Sequence, residues 1–160
     1  MPDIQALLEA PAFEEGIRWI VGHVTAEEGH INGMMAPRFY ACDKEKPSVT
    51  LEYDIADWET NSNHFLHGGI CATMMDTTIG IFANYLSHGL GNGFAPTVNM
   101  SIQYLRPVPA GSTLQLEAKL NSFGKSLIHL YAEARIKGRP EICATATAAF
   151  SVQPQTARAE

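Results

Sequence analysis

Asp76 is the only Asp, Glu, Lys or Arg between Glu59 and Arg106, and it lies inside an apolar run over residues 70–86. Burying an ionised carboxylate without partners is costly, so a chain avoids it, pairs it or shifts its pKa. Two readings follow: an acid, base or nucleophile, or a carboxylate hydrogen-bonded to backbone near a helix end. The run opens on His67-Gly68-Gly69, with Asn61 shortly before it and Thr97 at the head of the next patterned segment. His64 and His67 could ligate a metal together with Asp76. No further ligand is spaced to complete the set, however, and glycines follow at once, so no metal is expected. His67 reads either as helix-start structure or as a proton carrier. Cys71, one turn into an apolar helix with no basic neighbour, is expected to be an inert thiol despite the nearby imidazole. No Gly-x-Ser-x-Gly elbow is present.

The elements that must position these residues are legible from periodicity. Residues 3–21 suit one or two short amphipathic helices broken at Pro11, serving packing. Residues 22–33 read as turn-rich and irregular, and 34–42 as a weak strand around Pro37. From Ser48 onward, Val49, Leu51, Tyr53 and Ile55 alternate with polar residues, the repeat of a half-buried strand. Residues 68–87 then predict a helix that is apolar on nearly every side, which is tolerated only when protein surrounds it. Gly89-Leu90-Gly91-Asn92-Gly93 ends it with glycines able to take the left-handed cap. Four further alternating segments start near Thr97, Leu114, Ile128 and Ile142, and their short turn-like connections predict an antiparallel meander. Strands of about ten residues span roughly 33 Å and the helix about 30 Å, so a curved sheet can wrap the helix along its length. That is an α+β hotdog fold, a curved antiparallel sheet around a long central helix.

With 160 residues, 46% of them hydrophobic and 18% charged, the chain is expected to form one domain. It divides into an N-terminal extension over 1–33, a core over 34–153 and a tail over 154–160. A formal charge of −6 without any Lys/Arg cluster argues against a nucleic-acid surface. The odd number of cysteines, Cys42, Cys71 and Cys143, suggests no disulfide framework and fits a reducing, cytoplasmic setting. No signal peptide is read at the start, and an Asp in the middle of the apolar run argues against a membrane span.

Asn61, His67-Gly68-Gly69 and Asp76, at separations of six and nine residues from the histidine, resemble the hotdog acyl-CoA thioesterases of the phenylacetate-degradation (PaaI-like) type. The resemblance runs over roughly residues 48–152 and its spacing set is far more specific than a lone His-Gly-Gly. It implies an acyl-CoA substrate with no cofactor, coenzyme A being part of the substrate. Asp76 would be the general base or the nucleophile, and the Gly68 N–H at the helix start would polarise the thioester carbonyl, with Gly69 beside it. Asn61 would support that carbonyl or orient water, and Thr97 would hold the water; many relatives carry Ser there. Arg106, Arg139 and the Gly124-Lys125-Ser126 turn are the local groups for the coenzyme A phosphates; otherwise they are solvated turn residues.

Gly68 and Asp76 are eight residues apart, about 12 Å along a helix and too far to act on one carbonyl. If both serve one thioester, Asp76 of one subunit meets Gly68 and Asn61 of another, so an isologous dimer with two sites is required. The family implies such dimers, often paired into tetramers. Two other classes compete: a hotdog dehydratase or hydratase, disfavoured because the helix carries no matching catalytic histidine, and a non-enzymatic acyl-CoA-binding module, disfavoured by Asp76, Thr97 and Asn61 together.

Overall fold

The computed structural model describes residues 4–9 and 11–155, so most of the expected tail, residues 156–160, lies outside the described residues. Helices α1 (Ile4–Leu7), α2 (Ala12–Thr25) and α3 (Ile31–Met35) precede strands β1 (Arg38–Asp43) and β2 (Ser48–Asp54). Helix α4 (Gly68–Gly89) follows, then β3 (Thr97–Tyr104), β4 (Thr113–Phe123), β5 (Leu127–Ile136) and β6 (Ile142–Ser151). The expected break at Pro11 separates α1 from α2. The 22–33 segment is not irregular throughout: α2 continues to Thr25 and α3 begins at Ile31, which also removes Met34 and Met35 from the expected strand.

The six strands form one antiparallel sheet in the order β1-β2-β4-β5-β6-β3. The expected meander therefore holds for β4, β5 and β6 but not for β3, which pairs with β6 and becomes an edge strand. The connection after Tyr104 carries Pro107 and Pro109, and it runs back past the loop before α4 through a Phe65–Pro109 bridge instead of closing a hairpin.

Helix α4 packs across the inner face of this sheet. Met74, Met75, Ile79, Phe82 and Leu86 are fully buried against Leu51, Tyr53, Leu114, Leu116 and Leu130. Ala132 is in register with Ala146 and Ala134 with Ala144, and these small side chains let the helix approach the sheet closely while the long methionines fill the gaps. Tyr53, fully buried, shares a 2.9 Å hydrogen bond with Thr78; burial pushes its phenol well above the usual range. One face of α2 docks on α4 through Phe13, Ile17 and Val21, with the Phe13 and Phe82 rings 5.8 Å apart. Gly91, at φ +78, provides the left-handed turn expected after α4.

Helix α4 is not enclosed on every side. Thr73, Asp76, Thr77, Gly80 and Asn84 recur every three or four residues and form a half-buried stripe. Asp76 thus shares one open face of an otherwise apolar run with small and polar residues, whereas Thr78 and Ser87 are buried on the other side.

Candidate active site

Asp76 sits near the middle of α4, and Thr97, the first residue of β3, donates its hydroxyl to Asp76 Oδ1 at 2.7 Å. Both line a cleft of about 460 Å³. Its walls come from the open face of α4, from α2 and α3, and from the loop carrying Phe94. The carboxylate is half-buried in the single chain instead of being shut inside the sheet.

Gly68 is the first residue of α4. His67 caps α4, its Nδ1 accepting the Gly69 N–H at 3.0 Å, and its carbonyl accepts from Cys71. The Gly68 and Ile70 N–H groups make no hydrogen bond among the described residues. They are free donors at the positive end of a helix of 22 residues. His67 thus has the cap geometry of helix-start structure, with one ring nitrogen already engaged.

Asn61 lies in a strapped loop. Glu59, in a short 3-10 turn, accepts the Ala56 N–H on its carboxylate and the His67 N–H on its carbonyl. Asn61 Oδ1 accepts from the Asn63 and Phe65 backbones at 2.9 and 3.3 Å, which leaves Nδ2 without a partner among the described residues. His64, at φ +60, closes this turn in a conformation non-glycine residues seldom adopt; its ring faces Asp57 at 3.5 Å. Burial raises the Glu59 carboxyl above the usual carboxylate range, partly offset by the Ala56 bond.

Asn61 and Gly68 share a second cleft, of about 330 Å³, with Phe65, Cys71, Tyr104 and Arg106. Neither Asp76 nor Thr97 lines it. One chain thus separates the expected site residues into two places: Asn61 and Gly68 at the start of α4, Asp76 and Thr97 near its middle. Cys71 is buried, its thiol pushed up to about 11 chiefly by desolvation, and carries no reactive thiolate.

Two side-chain contacts beside these clefts escape sequence reasoning. Tyr104, the last residue of β3, donates its hydroxyl to the Gly68 carbonyl at 2.8 Å. The edge strand therefore holds the first half of α4 at two points, through Thr97 on Asp76 and Tyr104 on Gly68. Asn32 of α3 accepts the Thr77 hydroxyl at 2.8 Å, immediately after Asp76. Neither contact has a local signal, because the partners lie 36 and 45 residues apart.

The cations do not cluster. Arg106 donates to the Ile142 carbonyl at 2.7 Å and, with Arg139, lines a groove adjoining the Gly68 cleft. Lys125 and Ser126 sit at the β4–β5 turn, the far end of β5 from Arg139. Thr97 is in register with Phe150, and Phe150 with Ile128, so Lys125 and Ser126 belong to the Asp76 end of the sheet. Of the aromatic and apolar residues near the motif, Phe65 and Leu66 line the Gly68 cleft and Phe94 the Asp76 cleft. Tyr85 instead packs on Phe13 and bonds the Leu7 carbonyl.

A long helix backed by a six-stranded antiparallel sheet, with free N–H donors at its start and a carboxylate on its open face, is a hotdog arrangement. The chain belongs to the thioesterase superfamily, whose family model matches residues 63–143. It is 30% identical over 86 residues to the acyl-coenzyme A thioesterase THEM4 of Xenopus laevis, a match covering 54% of this chain and 36% of that protein. The chain thus spans about a third of the length of that curated relative. Among solved structures, zebrafish thioesterase superfamily member 2 superposes with a TM-score of 0.74 at 18% identity, covering 85% of this chain and 95% of the other. A phenylacetic acid degradation-related protein from Ralstonia eutropha JMP134 gives 0.69 at 25% identity, covering 82% and 98%. The likeness to the phenylacetate-degradation type is borne out. Among the described residues, no helix is long and apolar enough to cross a membrane.

Proposed function

We propose that the protein hydrolyses acyl- or aryl-coenzyme A thioesters to the free acid and coenzyme A, at two sites shared across an isologous homodimer. The observation that carries this reading is the division of the motif between two clefts of one chain, which a two-fold partner reunites by setting Asp76 of one subunit against Gly68 and Asn61 of the other. The outer edge of β3, unpaired in the sheet order, is the backbone surface such a partner meets. Further pairing into a tetramer and a cytoplasmic location belong to the same proposal, the latter fitting three free thiols.

Asp76 acts as general base. Thr97 gives its proton to Oδ1, so its own lone pair and Asp76 Oδ2 together hold a water. The water oxygen attacks the thioester carbon and its proton passes to Asp76. The carbonyl oxygen gains the charge and takes hydrogen bonds from the Gly68 N–H and from Asn61 Nδ2, both free to donate. Collapse breaks the carbon–sulfur bond, and the proton on Asp76 returns to the leaving thiolate. Arg106 and Arg139 from the Gly68 subunit, and Lys125 and Ser126 from the Asp76 subunit, flank the two approaches to the coenzyme A phosphates. Gly69 keeps the entrance free of side chain, and His67 fixes the first turn. The chemistry is complete with substrate, water and side chains.

Thiol release from a panel of acyl-CoAs tests the reading. Asp76→Asn is expected to lower turnover by about 10²–10⁴ with the fold intact, and unchanged turnover would remove Asp76 from the mechanism. Direct attack by Asp76 through an anhydride is the second reading. A single turnover in ¹⁸O water tests it: label in the Asp76 carboxylate establishes an anhydride opened at the Asp76 carbon, because water attack on the thioester itself leaves label only in the released acid. Binding of acyl-CoA without thiol release would indicate a binding module instead, and proton exchange or hydration at a substrate carbon a dehydratase.

A further inference from the structure

The cleft holding Asp76 has a wall that sequence reasoning assigned only to packing or irregular chain. Trp19 on α2 and Ile31 and Asn32 on α3 line it, opposite Phe94. Three of these are large apolar side chains left open to water: Trp19 is 70% exposed, Phe94 65% and Ile31 42%. Apolar exposure gathered around one concavity is the mark of a surface that something covers.

The wall is fixed, not draped. The Thr77–Asn32 bond ties α3 to α4 one residue past Asp76. A side chain at Gly33 would stand 2.3 Å from the Glu27 carbonyl oxygen, so α3 seats directly on the preceding loop. Ala36 leaves α3 at φ +46, a left-handed conformation that costs an alanine energy and persists where the surroundings impose it.

The charge of the cleft is as informative as its shape. Among the described residues of the chain, no lysine or arginine lines it, and the only titratable groups that do are Asp76 and His88. An acyl group bearing a carboxylate and seated in this cleft would meet Asp76 without a cationic partner from the same chain. At about 460 Å³ the space is many times the roughly 30 Å³ share of one water molecule, so an acetyl group would leave most of it unfilled.

We propose that α2 and α3 form the acyl-selective wall of the site: the Asp76 cleft takes a neutral, apolar acyl group longer than acetyl, seated on Trp19, Ile31 and Phe94, and rejects acyl groups that end in a carboxylate. This rests on the thioester-hydrolase reading. Trp19 and Ile31 are then specificity determinants, and Asn32 a positioning residue acting through Thr77.

The test compares kcat/KM for acetyl-, butyryl-, hexanoyl- and succinyl-CoA in the full chain. Burial of each added methylene is expected to raise kcat/KM by about fourfold, and succinyl-CoA is expected to fall well below butyryl-CoA. Ile31→Ala and Trp19→Ala should each lower the hexanoyl-to-acetyl ratio about tenfold, and Asn32→Ala should lower it less. Equal losses on both substrates, or succinyl-CoA turned over as well as butyryl-CoA, would overturn the proposal. If no acyl-CoA is hydrolysed, the hydrolase reading fails and the wall is read by calorimetric binding of hexanoyl- against acetyl-CoA. A preference for hexanoyl-CoA that Ile31→Ala abolishes sustains the wall, and equal binding of the two overturns it.

Discussion

Gly68→Ala separates what the fold needs from what the chemistry needs. A Cβ built on Gly68 would meet only the Tyr104 ring, its three nearest atoms at 3.5, 3.7 and 3.7 Å. That is ordinary contact, and the residue has no positive φ to lose. Alanine exceeds glycine by roughly 0.8–1.0 kcal/mol in a helix interior; in the first turn about half of that is expected. For a chain of this size such a gain raises Tm by about 1–2 °C. The methyl nevertheless stands beside Tyr104 in the cleft that Gly68 and Asn61 share, where the thioester carbonyl must come within hydrogen-bond distance of the Gly68 N–H. Obstructing one oxyanion donor costs about 10²–10³ in kcat. A thermal melt and a thiol-release assay on the same preparation therefore move in opposite directions. Undiminished turnover would refute the donor role of Gly68, and a Tm lowered by several degrees would show that the fold itself demands the glycine.

Two further substitutions probe the supports. Tyr104→Phe keeps the ring and removes only the hydroxyl that holds the Gly68 carbonyl; kcat should fall about three- to tenfold with little change in KM, whereas a purely structural role would lower Tm and leave kcat alone. Glu59→Gln keeps an acceptor for the Ala56 N–H and removes a carboxyl whose pKa burial raises above 4.5. Ionisation of that carboxyl is less favourable folded than unfolded, so its contribution to stability is full below pH 4.5 and is lost as pH climbs through the raised value. Denaturant midpoints should therefore shift in favour of the glutamine variant between pH 4 and pH 7, and a constant difference would show that Glu59 titrates normally.

Alternation made β2 through β6 readable, because β4, β5 and β6 bury alternate residues against α4, and β2 and β3 keep the same alternation although β2 is buried on both faces and every β3 residue is exposed or half-buried. Asp76 was readable as a candidate for a related reason: a single charge in a long apolar run stands out in one dimension. What stayed hidden was non-local. The β3–β6 pairing joins segments some 40 residues apart, so turn signals between neighbours suggested the wrong partner for β3. Tyr104 looked like one more alternating strand residue, and its hydroxyl's target lies far back in the chain. Helix α3 was hidden by its composition, since Gly29 before it and Gly33 inside its five residues read as loop. The open stripe on α4 was masked by the apolar residues that crowd the rest of the helix, although Thr73, Asp76, Thr77, Gly80 and Asn84 already had helical spacing.

Subunit complementation tests the shared site most directly. Asp76→Asn and Gly68→Ala proteins, each impaired alone, are denatured together, refolded as an equal mixture and assayed for thiol release. Every mixed dimer then carries one site with both lesions and one with neither, so random pairing restores about one quarter of wild-type activity. Mass spectrometry that finds the mixed dimers while the mixture stays as inactive as its components would contradict a site built from two chains.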